Sequence, residues 1–157
     1  MPDGPQYGQH GDLEPWLAAV LDIPLHRFVG LRLRDPRDLT RGLLLAATAS
    51  SLNQAQLLHG GIVSALLDVA AFVALRPSLL PGEHAVTHAI SVQLLRPVGE
   101  GAEVHFQGEV LQLGRLVAFL RAEARVEGKL VAVAQVTKTR VAAVPTHPVV
   151  AYRVDGA

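Results

Sequence analysis

The chain contains no cysteine. Disulfides, a thiol nucleophile and a thiolate metal site are therefore excluded, and a reducing compartment such as the cytoplasm is compatible with the composition. There is no charge imbalance either. The 14 Lys and Arg residues match the 14 Asp and Glu, for a formal net charge of +0. Without a basic run, neither nucleic acid nor a membrane surface is an expected partner. No apolar run reaches bilayer length. The longest, at 62–75, falls short of the ~20 residues needed to span and carries Asp68. The first twelve residues, MPDGPQYGQHGD, show no basic region followed by an apolar one, so no signal peptide and a soluble cytoplasmic protein are expected. His-Glu-x-x-His, Gly-x-Ser-x-Gly, P-loop and dinucleotide fingerprints are missing. His10, His26, His84, His88, His105 and His147 lack metal-ligand spacing and are expected at the surface or at strand edges; no metal is expected.

What is present is apolar residue in quantity, 50% of the 157, enough for the core of one domain. Residues 1–11, rich in Gly, Pro and Gln, are expected to be flexible, 12–142 to form a single domain, and 143–157, opened by Pro145 and Pro148, to be a tail. Asp12 is a candidate N-cap for a short helix through Leu21, with Pro15 in its first turn and Pro24 as its stop. From Phe28 the alternation Val29, Leu31, Leu33 predicts a half-exposed strand, and 40–50 a second, more buried one. Four strands follow the Pro81-Gly82 turn, at 85–95, 102–113 (Gly108 a candidate bulge), 115–126 and 130–141, with Leu116, Ala118, Leu120, Ala122 and Ala124 facing in and a hairpin turn at Glu127-Gly128. Short connections imply an antiparallel sheet that needs one face covered. The only long apolar helix available is 60–76, so an α+β architecture is expected, about six curved strands wrapped around one central helix.

The stretch 53–77, NQAQLLHGGIVSALLDVAAFVALRP, holds the chemistry. Gly60, Ser64 and Asp68 recur at spacings of four and share a helix face. A carboxylate in an apolar helix is costly unless compensated. Asp68 is either a general base or nucleophile, or a structural carboxylate bonded to a nearby donor. Gly60 and Gly61 either let the loop turn tightly into the helix, or bare a helix N-terminal amide to a polarised carbonyl. Ser64 either faces down the same side or bonds its own helix backbone. Eight residues at 1.5 Å rise separate Gly60 from Asp68 by roughly 12 Å. If both act on one substrate, a second subunit supplies one of them, which predicts a dimer with shared active sites.

Asn53, His59-Gly60-Gly61 and Asp68, in a helix followed by four strands, resemble the hotdog-fold acyl-CoA thioesterases, in particular the phenylacetic-acid-degradation-type and 4-hydroxybenzoyl-CoA thioesterase clade. Thr87, ten residues before Pro97, and Gly114-Arg115 match further family positions. The resemblance covers about 25–141 and implies hydrolysis of an acyl- or aryl-acyl-CoA, with coenzyme A as part of the substrate rather than a cofactor. It implies a homodimer and a dimer-of-dimers tetramer. In the implied roles the Gly60 N–H polarises the carbonyl, Asn53 supports that site, and Asp68 of the partner subunit activates water or attacks directly. Thr87 holds the water or Asp68, and His59 shapes the helix start. Gly61 and Ser64 stand with these as substrate contacts, and Arg96, Gln112, Gly114, Arg115 and Arg140 fall where relatives hold coenzyme A. A hydratase or dehydratase on the same fold, or a non-catalytic acyl-CoA-binding protein, are the alternatives.

Overall fold

The computed structural model describes residues 13–142. The expected N-cap Asp12, the segments 1–11 and 143–157, Pro145, Pro148, His10 and His147 lie outside the described residues. Two short helices open the fold, α1 (Pro15–Leu21) and α2 (Pro24–Val29). Each has proline in its first turn, where the missing N–H costs nothing. Helix α2 corrects the strand expected from Phe28. The Leu and Val spacing there also fits one helical turn, Pro24 starts it, and Gly30 closes it in the left-handed conformation at φ 76°. Pro24 is thus a start rather than a stop. Strand β1 is only Arg32–Leu33, and the buried strand expected over 40–50 contracts to β2 (Leu43–Ala46), flanked by single 3₁₀ turns.

Helix α3 (Gly60–Leu75) is the central element, continued by a 3₁₀ turn through Pro77. Strands β3 (Glu83–Leu94), β4 (Glu103–Leu113), β5 (Val117–Val126) and β6 (Lys129–Ala142) follow. All pairings are antiparallel, in the order β1-β2-β4-β5-β6-β3. This is the expected hotdog arrangement. Inward-facing Ala118, Leu120, Ala122 and Ala124 of β5 are buried, whereas Leu116 lies before the strand and is exposed, contrary to the alternation assigned to it. Glu127 and Gly128 both take positive φ, the geometry of a tight hairpin. The bulge of β4 falls between Val110 and Gln112, not at Gly108. Gly108 instead faces α3 so closely that a Cβ there would sit 2.3 Å from the Ala70 carbonyl oxygen.

The core lies between α3 and the concave face of the sheet. Val63, Leu66, Leu67, Ala70, Ala71 and Val73 of α3 are buried, as are Val104 and Phe106 of β4 and Ala132, Ala134 and Val136 of β6. The opposite face of the helix, with Ser64, Ala65, Asp68, Val69 and Phe72, is only half-buried. Segment 60–78 is apolar enough by length and composition to cross a membrane, but here it is the core helix that the sheet wraps.

Candidate active site

Asp68 sits on the half-open face of α3 and does not stand alone. Its carboxylate accepts from the Thr87 hydroxyl, with Oδ1 and Oδ2 at 2.8 and 2.9 Å, and from Lys138 Nζ, 2.8 Å from Oδ1. Lys138 also donates to Thr87 Oγ1 at 2.8 Å, which closes a three-residue ring. The Lys138 side chain is 3% exposed and that of Asp68 31%. A carboxylate in an apolar helix is costly unless compensated, and this ion pair is the compensation. The cost of burying either charge is offset by the other. Thr87 reaches the carboxylate from β3, where a register shift between Thr87 and Ala89 leaves His88 as the extra residue.

The ring opens into a cleft of about 410 Å³ lined by Val20, Ile23, Ala65, Val69, Phe72, His26 and His84 as well as Asp68, Thr87 and Lys138. Phe72 meets His84 edge-on at 5.2 Å and Trp16 at 6.3 Å, with Lys138 Nζ 5.8 Å from its ring centre. His26, expected at the surface, is 5% exposed. Its Nδ1 lies 2.6 Å from the Val20 carbonyl oxygen, to which it donates. Helix α2 turns the residue inward.

Gly60 opens a different cleft. His59 is the N-cap of α3, and its Nδ1 accepts from the Gly61 N–H at 2.9 Å. The Gly60 N–H has no hydrogen-bond partner among the described residues. It carries the positive end of the α3 dipole. Ser64 bonds the Gly60 carbonyl at 2.9 Å. Asn53 Oδ1 accepts from the Ala55 and Leu57 N–H groups at 2.9 and 3.2 Å, which folds the loop leading to the helix. Asn53, Gly60, Leu94, Arg96, Pro97 and Val131 line this cleft of about 250 Å³. None of its lining residues belongs to the Asp68 cleft. One protomer therefore brings Gly60, Asn53 and Arg96 together, and separately Asp68 and Thr87, but not the two groups.

The remaining expected contacts are dispersed. Arg96 donates to the Leu130 carbonyl. Arg140 pairs with Glu83 at 2.7 Å and donates to the Gly114 carbonyl at 3.0 Å. The Arg140 hydrogen bond, seconded by the Leu80 N–H, holds the Glu83 carboxyl below its ordinary value. Gln112 and Arg115 are exposed, and Arg115 has no hydrogen-bond or ion-pair partner among the described residues. No group of three or more His, Asp or Glu suited to a metal occurs among the described residues.

Lys138 is the residue the sequence reading left out. A signal was present. Ala132, Ala134 and Val136 alternate on the buried face of β6, and period two carries that face to position 138.

The family model described as "Thioesterase superfamily" matches residues 55–133, which is 79 of the 157 residues. The chain belongs to the thioesterase superfamily. The matched segment contains His59, Gly60, Asp68 and Thr87, and stops short of Lys138. Among solved structures, a thioesterase from Haemophilus influenzae superposes with a TM-score of 0.73 at 20% identity, over 84% of this chain and 92% of its own. A mutant form of the phenylacetic acid degradation protein PaaI from Thermus thermophilus gives 0.65 at 27% identity, over 76% of this chain and 100% of its own. A Bacillus halodurans protein solved with CoA gives 0.60 at 22% identity, over 63% and 70%. A comparison with curated protein sequences gives no match.

Proposed function

We propose that this superfamily member is an acyl-CoA thioesterase that works as a homodimer with two shared sites. The observation that carries the proposal is the separation of the two clefts: one holds an unpaired helix N-terminal amide at Gly60, the other a half-exposed carboxylate at Asp68. Each offers half of a hydrolytic site. A partner copy is supported by β3, the 12-residue edge of the sheet, along which Val86, Ile90 and Leu94 are 46%, 40% and 55% exposed. A long apolar edge with free N–H and C=O groups is a template for pairing. Docking a second copy there would bring one protomer's Asp68 toward the other's Gly60.

In the proposed reaction the thioester carbonyl oxygen accepts from the Gly60 N–H, which stabilises the oxyanion as it develops. Asp68 of the opposite subunit takes a proton from water as the water oxygen adds to the carbonyl carbon, or adds to that carbon itself, in which case loss of the thiolate leaves a mixed anhydride that water hydrolyses to the free acid, restoring Asp68. The C–S bond then breaks, and the CoA thiolate leaves and regains a proton, with the free acid as the second product. Arg96, Arg115 and Gln112 are proposed contacts for the CoA portion, a reading supported by the CoA carried by the Bacillus halodurans neighbour. Arg140 is committed to Glu83 within the protomer, so Arg115 is the better candidate for phosphate. A compartment in the cytoplasm and a tetramer of paired dimers belong to the same proposal.

The hydratase alternative needs a histidine acting with the carboxylate. His59 caps α3 in the other cleft, His26 bonds the Val20 carbonyl, and His84 packs on Phe72. The partners of Asp68 are Thr87 and Lys138, which favours the thioesterase. The test is Asp68→Asn assayed for CoA release with a thiol reagent and for absorbance change on a crotonyl thioester. A loss of CoA release by at least ~10² with an unchanged melting temperature is expected. Hydrolysis at the wild-type rate would return Asp68 to a structural role.

A further inference from the structure

We propose that Lys138 is a positioning residue for the reaction, and that it selects which oxygen of Asp68 faces the substrate; this rests on the thioesterase reading of Asp68. A carboxylate on a short side chain rotates in a broad torsional well. Thr87 cannot fix it alone, because one hydroxyl proton is shared between two oxygens at 2.8 and 2.9 Å. Lys138 breaks that symmetry. Its ammonium lies 2.8 Å from Oδ1 and has no hydrogen bond to Oδ2. The oxygen that Lys138 does not hold, with only the Thr87 hydroxyl beside it at 2.9 Å, keeps a lone pair for a water or a carbonyl carbon in the cleft.

The same ammonium lies 2.8 Å from Thr87 Oγ1 and occupies its acceptor side, so the hydroxyl proton is directed at Asp68. Lys138 is itself fixed. It is 3% exposed, rises from the paired strand β6, and packs beside Phe72. Its position continues the buried row Ala132, Ala134 and Val136, where an apolar side chain would satisfy the core. A buried ion pair adds little net stability compared with apolar residues of the same volume. What the ring supplies instead is geometry, and misplacement of a reacting group by ~1 Å is enough to cost ~10² in rate. Lys138 exchanges no proton in this role.

The experiment compares the wild type with Lys138→Met, Asp68→Asn and the double variant, using one readily hydrolysed acyl-CoA, with kcat and KM read separately and the melting temperature as a check on folding. Lys138→Met should lower kcat about tenfold or more and leave KM within about threefold, the split expected of an interaction made only in the transition state. In the Asp68→Asn background the same change should alter kcat by less than about twofold, since no carboxylate remains to be oriented. If Lys138→Met is not folded, Lys138→Gln, which keeps N–H donors, should show the same split with a smaller loss. Wild-type kcat in a folded Lys138 variant, or a loss that multiplies with that of Asp68→Asn, overturns the proposal. Failure of the underlying reading is distinct: there Asp68→Asn itself remains fully active.

Discussion

In the proposed mechanism two residues on one helix carry the chemistry, and each would act through an atom its neighbours leave open. At Gly60 that atom is the backbone N–H. His59 caps the next amide through Nδ1, at 2.9 Å from the Gly61 nitrogen, and so leaves the first one bare. The idea can be tested without disturbing the fold. His59 is extended at φ −64° and ψ 124°, the conformation favoured before proline, and proline is tolerated at the first helical position. Gly60→Pro should therefore fold yet lose about 10²–10³ in kcat, the worth of one oxyanion donor. Gly60→Ala keeps the N–H, and its Cβ would press only on the Leu94 side chain, at 2.6 Å. It should keep most of the activity, and equal losses in the two variants would refute the amide role. Sequence alone made Gly60 and Asp68 candidates by residue type and spacing, and Thr87 by the family resemblance. It did not supply Lys138, whose inward position depends on strand register, nor the buried His26, whose position depends on α2.

At the scale of elements, α3 was legible as a long apolar run opened by Gly-Gly and closed by proline, and the four long strands as runs between turn signals, with alternation cleanest in β5. The short N-terminal pieces were not. Val29, Leu31 and Leu33 satisfy period two, but Pro24 and the left-handed Gly30 enclose a helical turn that captures Val29. Gly108 shows how a tertiary contact reassigns a residue read as local. It was expected to mark a bulge; instead the strand passes close to α3 there, with room for hydrogen but not for carbon. Gly108→Ala should force helix and strand apart and destabilise the protein by about 1–3 kcal/mol, as overpacking does. Urea unfolding would show this as a lower midpoint with an unchanged slope. An unaltered midpoint would mean that the helix shifts at no cost.

At the scale of the molecule, Gly60 and Asp68 face different clefts, and under the proposed function assembly of two copies joins them. Two-fold symmetry makes this measurable. Asp68→Asn and Gly60→Pro are each expected to be inactive as pure proteins. Unfolded together and refolded as a mixture, they should form heterodimers with one intact site and one doubly altered site, and recover about a quarter of wild-type activity. No recovery, in a mixture shown by mass to contain heterodimers, would place both half-sites within one protomer. The sequence by itself determined the helix, the strands, the outlying aspartate and the roughly 12 Å between Gly60 and Asp68, because periodicity and helical rise are local properties. Only the tertiary structure decided what surrounds that aspartate. Thr87 lies 19 residues from it in sequence and Lys138 70 residues away, and their meeting depends on the pairing of β3 with β6 across the face of α3. Period two in β6 placed position 138 on the buried face, but only that packing put its ammonium against Asp68 and Thr87.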